Sequence, residues 1–255
     1  MKKVEFKKVI DFVDKNMMLF YSTLEDEVRK IDFFENLLSI NPYLLGIRNI
    51  NTTGDFFEYI LNSHLSILEN TLLDDFLKRI AVFVCENTYK IKMKSVRGID
   101  LELRKDNNTY LVSIISNANI DNSIRIKEIR KSFKEETKRL IGSTRNGNIK
   151  CIIGFCYGRI KWASKSDFIE VAGQEFWEFI SGDSELYTKV FLLLKQKANE
   201  KNKNFINEYN RKLNLLVLPF ADEFCVKGKI DWEKLVRYNS QNEKMKIKLS
   251  LKNKY

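Results

Sequence analysis

The sequence contains very few of the residues on which several common enzyme chemistries depend. It has a single histidine, His64, only two prolines, and four cysteines that form no C-x-x-C pair. Zinc sites and histidine-dependent nucleophilic catalysis need more histidine or paired cysteine than this chain offers. These chemistries are therefore disfavoured, and the cysteines are expected to be buried free thiols.

Long apolar runs are also missing. No stretch approaches the roughly 20 apolar residues that a membrane-spanning helix needs. The basic segment 1–8 lacks the apolar stretch of a signal peptide. Two prolines and ten glycines argue against long linkers. We therefore expect a soluble, cytoplasmic globular protein that does not associate with membranes.

Positive charge is present in excess and is unevenly distributed. The net charge is +10, and residues 195–255 hold 15 Lys or Arg against 7 Asp or Glu, whereas the first 194 residues carry only +2. Aromatic residues are interleaved with these cations. Such a region suits a polyanionic partner, because lysines that neutralise phosphates release counterions. A well-solvated helical surface would explain the charge equally well.

Hydrophobic periodicity and turn residues predict the order of elements along the chain. We predict helices over residues 1–88 with a loop over 41–54, and then a β-hairpin over 98–116. Further predicted elements are a helix from Asp121-Asn122-Ser123 to Gly142, a buried strand over 151–157 and a helix over 167–180 stopped by Gly182. The remainder is predicted to be largely helical, with a last short helix at Trp232 and Leu235 before a polar tail. This order predicts a mixed α/β (α+β) core flanked by helical N- and C-terminal regions.

Two carboxylates near the start of the hairpin are the first candidates for chemistry. Asp100 and Glu102 lie two residues apart, so they share one face of the predicted strand. Neighbouring carboxylates repel each other unless a cation lies between them, and Mg²⁺ bound to phosphate oxygens would be such a cation. An exposed strand face would give the same spacing, so the spacing alone leaves both interpretations open.

Several longer stretches carry a more specific signal. The stretches are Glu86–Tyr89, Arg97–Leu103, Tyr110–Ile114, Asn122-Ser123, Phe220–Cys225 and, above all, Gly-Gln-Glu-Phe-Trp-Glu-Phe-Ile-Ser-Gly at 173–182. In this order they resemble a family of type II restriction endonucleases of the PD-(D/E)XK superfamily that cut GGNCC- or GGWCC-type sites. The resemblance is clear over residues 80–225 and vague in the N-terminal helices.

The resemblance implies a homodimer that binds double-stranded DNA and hydrolyses it at a short palindrome with Mg²⁺. It implies that Asp100 binds the metal ion, that Glu102 and Glu86 are further metal ligands, and that Ser113 lines the site. Residues 89–194 would form the nuclease core, with the helical region 1–88 packed on it. The basic helical region 195–255 would face DNA.

One position departs from the family pattern. Ile115 occupies the place where the resemblance leads us to expect a lysine, which would orient the attacking water and offset charge on the phosphate. Two interpretations stay open. Either another cation, Lys127 or Lys94, has taken over, or the protein is a catalytically inactive nuclease relative that binds DNA without cutting it.

Overall fold

A computed structural model describes residues 4–32, 37–89, 91, 93–96, 98–118, 123–141, 148–160 and 167–241. The chain divides into two compact units. The first contains residues 1–20 and 71–200, and the second contains residues 21–70 and 201–255. Each unit is thus assembled from two separate stretches of chain. The roles given above to regions 1–88, 89–194 and 195–255 stay predictions.

The described residues form helices and strands in the order expected of an α+β protein. The helices are α1 Phe6–Lys30, α2 Pro42–Ile47, α3 Thr53–Tyr89, α4 Ser123–Ile141, α5 Gln174–Ser181, α6 Leu186–Lys201, α7 Lys203–Phe224 and α8 Trp232–Ser240. The strands are β1 Met93–Val96, β2 Ile99–Lys105, β3 Asn108–Asn117, β4 Asn148–Tyr157, β5 Ile169–Ala172, β6 Cys225–Val226 and β7 Lys229–Ile230. Within the described ranges, no helix has the length and apolarity that crossing a bilayer requires.

The first unit is built on a five-stranded mixed sheet in the order β1-β2-β3-β4-β5. Strands β1, β2 and β3 are antiparallel, whereas β3, β4 and β5 run parallel. The predicted hairpin is confirmed. Its two-residue turn consists of Asp106 and Asn107, which both adopt positive φ angles (48° and 59°) and so give the twist that a tight hairpin needs.

Helix α4 makes the crossover from β3 to the parallel strand β4. It buries Ile129, Phe133 and Leu140 in an apolar cluster with side chains of β3 and β4. This cluster, named here the α4 cluster, is Ile99, Leu111, Ile115, Ile129, Phe133, Leu140, Ile153, Phe155 and Phe168. The predicted helix and buried strand are confirmed, while Asp121, Asn122 and Gly142 lie outside the described residues.

The helix predicted over 167–180 is wrong in its first half. Ile169–Ala172 is strand β5, which pairs in parallel with β4, and the helix spans only Gln174–Ser181. The open edge of β4 decides the outcome, because it offers hydrogen-bonding partners that no local periodicity reveals. Gly182 ends α5 in the left-handed conformation (φ 72°), as the sequence predicts.

The second unit has an aromatic core. Phe56 and Phe57 of α3 contact Phe220 of α7, with ring centroids 4.7 Å and 5.2 Å apart, and Leu235 of α8 is fully buried in the same cluster. The short helix predicted at Trp232 is confirmed. Asp231 caps it by accepting a hydrogen bond from the Lys234 amide. The polar tail beyond Gln241 lies outside the described residues.

The loop predicted over 41–54 is wrong in part. Pro42–Ile47 forms helix α2, because the Asn41 side chain accepts a hydrogen bond from the Leu44 amide and Pro42 occupies the first helical position. Thr53 already begins α3. The hairpin β6–β7 in the C-terminal region is likewise absent from the sequence-based prediction. Its two-residue strands are too short to give a periodic signal.

Strand β4 and helix α5 meet at Gly154. A Cβ atom built at this glycine would lie 2.1 Å from Cε2 of Phe176, whose side chain is fully buried. A second contact holds the same turn of α5 against β4, because Trp177 Nε1 donates a 2.8 Å hydrogen bond to the Cys156 carbonyl. The absence of a side chain at Gly154 therefore sets how closely α5 approaches the sheet.

We expect Gly154→Ala to lower the free energy of unfolding by about 1–3 kcal/mol, because the new methyl group overlaps a buried ring. Gly46→Ala is the matched control, since Gly46 lies in α2 with no atom within 4 Å of a built Cβ. The control should be neutral or slightly stabilising. Urea denaturation followed by circular dichroism measures both changes. Equal stability of the two variants would contradict this packing account.

Candidate functional site

A cavity of about 650 Å³ lies in the first unit and is lined by Asp100 of β2 and Ser113 of β3. Lys78 of α3 also lines it. Helix α4 contributes charged side chains, namely Arg125, Lys131, Arg139, Glu128, Glu135 and Glu136. The cavity thus brings a strand carboxylate and a strand hydroxyl beside a predominantly basic helix.

The register of the hairpin explains why Asp100 and Ser113 meet. Leu101 pairs with Val112 and Glu102 pairs with Leu111, so Asp100 lies opposite Ser113. Residues opposite each other in an antiparallel pair have side chains on the same face. Ser113 is 2% exposed, so it lines the cavity from an almost fully buried position.

Both oxygens of the Asp100 carboxylate have partners from other elements. Lys78 Nζ lies 2.7 Å from Oδ1, and the backbone amide of Ile114 donates a 2.7 Å hydrogen bond to Oδ2. The Asp100 and Lys78 side chains are 18% and 30% exposed, so the pair is partly shielded from water. The amide fixes one oxygen in place, and the other faces a movable ammonium group.

The Ile115 side chain does not line the cavity. It is 2% exposed, belongs to the α4 cluster, and lies opposite Phe155 in the parallel pair of β3 and β4. The position at which the family resemblance predicts a lysine is therefore filled with apolar packing.

The remaining residues predicted for the site lie on several different elements. Glu102 is half-buried on the strand face that Asp100 uses, and Lys127 is exposed on α4. Glu86 is half-buried on α3, eight residues beyond Lys78, which is about 12 Å along a helix axis. Lys94 lies in β1, and its side chain is outside the described part of the molecule. The roles proposed for these residues stay predictions.

Lys78 is the residue that sequence reasoning missed. Phe76 and Ile80, each two positions away, are almost fully buried, but residues two apart point to different sides of a helix, so the apolar periodicity does not mark Lys78. Nothing local reveals that Lys78 meets Asp100 of β2. The one signal available was a lone lysine next to buried positions, one turn after Asp74.

The neighbouring carboxylates Asp74 and Asp75 of α3 have different surroundings. Asp75 is exposed and pairs with Arg79, whereas Asp74 is half-buried and accepts a 3.2 Å hydrogen bond from the Tyr157 hydroxyl. The charges of Asp74 and Lys78 both influence the pKa of the Cys156 thiol. Burial raises the pKa of Cys156 far above its ordinary value, with Asp74 adding to the shift and Lys78 opposing it.

The four cysteines are free thiols, as predicted, although only Cys85 and Cys156 are buried. Burial, followed by the Glu86 charge, raises the pKa of Cys85 to about 12. A thiol with such a pKa stays protonated at neutral pH and is a poor nucleophile or metal ligand. Both side chains belong to the buried core.

One carboxylate that lines the cavity is already engaged. Glu136 is 5% exposed, and its two oxygens accept hydrogen bonds from Nε of Arg139 at 2.9 Å and 3.0 Å. This hydrogen bonding is the main reason that the pKa of the Arg139 guanidinium is raised, and Glu102 adds a smaller effect. Asp100, in contrast, pairs with a lysine of a different element, Lys78 of α3.

The donor atoms at the cavity suit a hard divalent cation. Mg²⁺ prefers oxygen ligands and commonly takes one or two carboxylates together with water and substrate phosphates. Asp100 Oδ1 and the Ser113 hydroxyl are oxygen donors of this kind. Within the described ranges, no three His, Cys, Asp or Glu side chains form a group that could hold a metal ion. The residues therefore fit a cation that is completed by water and phosphate, and they do not fit a closed protein cage.

A hairpin that carries a carboxylate and continues into parallel strands, with a helix crossing over it, defines a restriction-endonuclease-like α+β fold. The family model described as Type II restriction endonuclease EcoO109I matches residues 7–202, and the chain belongs to this family. The match covers the whole mixed sheet, Asp100 and Lys78. Restriction endonucleases of this type are DNA-binding nucleases that generally depend on a divalent metal ion. A search of curated proteins finds no match to the chain.

We expect Ile115→Lys to destabilise the fold by about 3–5 kcal/mol, because it places an unpaired ammonium group in the α4 cluster. Ile124→Lys is the matched control, since Ile124 is 76% exposed on α4. That variant should change the free energy of unfolding by less than about 0.5 kcal/mol. Chemical denaturation measures the difference. If Ile115→Lys is as stable as Ile124→Lys, position 115 is not closed by packing.

Proposed function

We propose that the protein is a Mg²⁺-dependent type II restriction endonuclease of the PD-(D/E)XK kind, which hydrolyses double-stranded DNA at a short palindromic site. The observation that supports this most directly is the meeting of Asp100 and Ser113 across β2 and β3 at one cavity. This hairpin carries the acidic pattern that the sequence resemblance singles out.

Asp100 is the metal-binding carboxylate in this proposal, Ser113 lines the site, and Glu102 and Glu86 are accessory carboxylates. A bound Mg²⁺ would polarise the phosphate and lower the pKa of a bound water. The Ile114 amide holds Asp100 Oδ2, so Oδ1 is the oxygen that is available to a cation. Ile115 takes no direct part in the reaction, and Lys127 is a candidate for the missing cation.

Two basic surfaces are proposed to contact DNA. Region 195–255 carries a net charge of +8, and the hairpin β6–β7 presents Lys227 and Lys229 as exposed cations. Several other cations of this region are paired with nearby acids, as Arg211 is with Glu208. Helix α4 is the second surface, since it bears seven Lys or Arg against three Glu and borders the Asp100 cavity.

A homodimer is proposed on symmetry grounds. A palindromic site presents the same half-site twice, related by a two-fold axis, and a dimer with one active site for each strand matches this symmetry. A GGNCC- or GGWCC-type sequence, which the resemblance suggests, is such a site.

A second function is favoured by one specific observation. Because Ile115 fills the lysine position with apolar packing, the protein could bind DNA without cutting it. Such a relative would keep the fold and the basic surfaces and would lose hydrolysis.

We expect Asp100→Asn to abolish Mg²⁺-dependent cleavage of long unmethylated duplex DNA while duplex binding is retained. Asparagine still accepts the hydrogen bond from the Ile114 amide but loses the charge that binds a cation. The control is Asp167→Asn, which removes a carboxylate that is 72% exposed and paired with Lys134. Gel electrophoresis of the DNA fragments reports cleavage.

The outcomes separate the two functions. Discrete fragments from the natural protein and from Asp167→Asn, but not from Asp100→Asn, support the nuclease. If the natural protein binds duplex DNA and cuts none of it with Mg²⁺ or Mn²⁺ at any pH, the second function is correct. Failure to bind duplex DNA at low salt would rule out both.

We expect duplex binding to weaken steeply with salt, and the double variant Lys227→Ala/Lys229→Ala to reduce the slope of log Kd against log salt by about 2. Each lysine on a phosphate contributes about one released counterion. Lys8→Ala is the control, because Lys8 is an exposed cation of α1 that is paired with Glu5. Fluorescence anisotropy at several salt concentrations measures the slopes. Identical slopes for the double variant and the natural protein would remove β6–β7 from the DNA interface.

A further inference from the structure

Lys78 of α3 occupies the place next to Asp100 that a catalytic cation would need. Its ammonium nitrogen lies 2.7 Å from Asp100 Oδ1, and both residues line the cavity that Ser113 also lines. We propose that Lys78 supplies the cation that is missing from position 115, so that the active-site lysine comes from a helix instead of the second strand. This inference rests on the proposed nuclease function.

Position 115 cannot supply the cation itself. Ile115 is nearly fully buried among apolar side chains of α4 and β4, and a charged side chain there would have no partner. The chemistry requires an ammonium group near the carboxylate and the phosphate, and it does not depend on which element carries it. Lysine has a flexible stem of four carbons, so it can reach a site from a neighbouring helix.

Two of the other cations that line the cavity, Arg139 and Lys131, are paired with acids of α4 itself, and Arg125 lines the cavity from the same helix. Arg139 is held by both oxygens of Glu136, and Lys131 lies within 4.0 Å of Glu135. Lys127 is exposed on α4. Among the described residues, Lys78 is the lysine that forms an ion pair with Asp100.

The position of Lys78 is fixed by its helix. Phe76 and Ile80 on the same turns are buried and anchor this part of α3 within the first unit. One turn before Lys78, Asp74 accepts the hydrogen bond from Tyr157 at the end of β4. The backbone of Lys78 is therefore held in place, and in this proposal its side chain moves between Asp100 and a bound phosphate.

The reaction assigned to this site is hydrolysis of one phosphodiester bond. The oxygen of a water molecule forms a bond to phosphorus, and the ester bond from phosphorus to one bridging oxygen breaks. The attacking water releases a proton to solvent, and the leaving oxygen takes one up. Lys78 takes no part in these proton transfers, and its ammonium group acts by offsetting the negative charge that grows on the phosphate oxygens.

The test compares Lys78→Met and Lys78→Arg with the natural protein. Lys189→Met is the matched control, since Lys189 forms a similar ion pair with Asp183 in the same unit and does not line the cavity. Removing the Lys78 charge should lower the Mg²⁺-dependent cleavage rate by at least about 100-fold, whereas Lys189→Met should leave it unchanged. Lys78→Arg keeps the charge and should retain part of the rate.

Binding of Mn²⁺ to the protein without DNA is the second measurement. Lys78 and a metal ion compete for Asp100 Oδ1, so Lys78→Met should bind Mn²⁺ about tenfold more tightly. This corresponds to about 1.4 kcal/mol of binding free energy. A lysine that only supports the fold would leave Mn²⁺ affinity unchanged or lower it. Isothermal titration calorimetry on the folded variants gives this result whether or not they cut DNA.

The two proposals fail in different ways. If the natural protein cuts DNA and Lys78→Met cuts it at the same rate, the role of Lys78 is overturned and the nuclease function stands. If the natural protein cuts nothing with any divalent metal ion, the nuclease function fails, and the catalytic role of Lys78 fails with it. Reduced cleavage by Lys78→Met with unchanged Mn²⁺ affinity overturns the assignment of Lys78 to the Asp100 site.

Discussion

The candidate site depends on how the Asp100 carboxylate is held between two elements. A backbone amide of β3 binds one oxygen, and an ammonium group of α3 binds the other, both at 2.7 Å. The hydrogen bond from the Ile114 amide follows from the hairpin register, and its donor is held by the sheet. The lysine side chain, in contrast, can move. In the proposed mechanism, this carboxylate exchanges a protein cation for a metal ion without rearrangement of the sheet.

Packing under α4 explains why position 115 of the second strand carries no cation. Ile115 and the buried face of α4 form one apolar cluster, so a lysine there would cost the energy of an unpaired buried charge. Gly154 sets a similar constraint on the other side of β4, where Phe176 leaves no space for a side chain. Both faces of β4 are therefore closed by packing, whereas the cavity that Asp100 and Ser113 line lies at β2 and β3. The family match over residues 7–202 covers all of these elements.

The parts of the fold that local chemistry determines could be predicted from the sequence. Asp106 and Asn107 favour the tight turn, the turn fixes the register, and the register brings Asp100 opposite Ser113. Interactions between distant residues could not be predicted. Strand β5 exists because β4 has an open edge, and α2 exists because Asn41 caps it, although the same residues are typical of a loop. Lys78 was missed because only tertiary packing brings α3 beside β2.

The most direct test of this account is a crystal structure of the protein with Mn²⁺ and duplex DNA, in which anomalous scattering locates the metal ion. The account predicts Mn²⁺ bound to Asp100 Oδ1, with Lys78 Nζ released from Asp100 and bound to an oxygen of the scissile phosphate. Mn²⁺ absent from Asp100, or a Lys78–Asp100 ion pair that persists while DNA lies elsewhere, would contradict it.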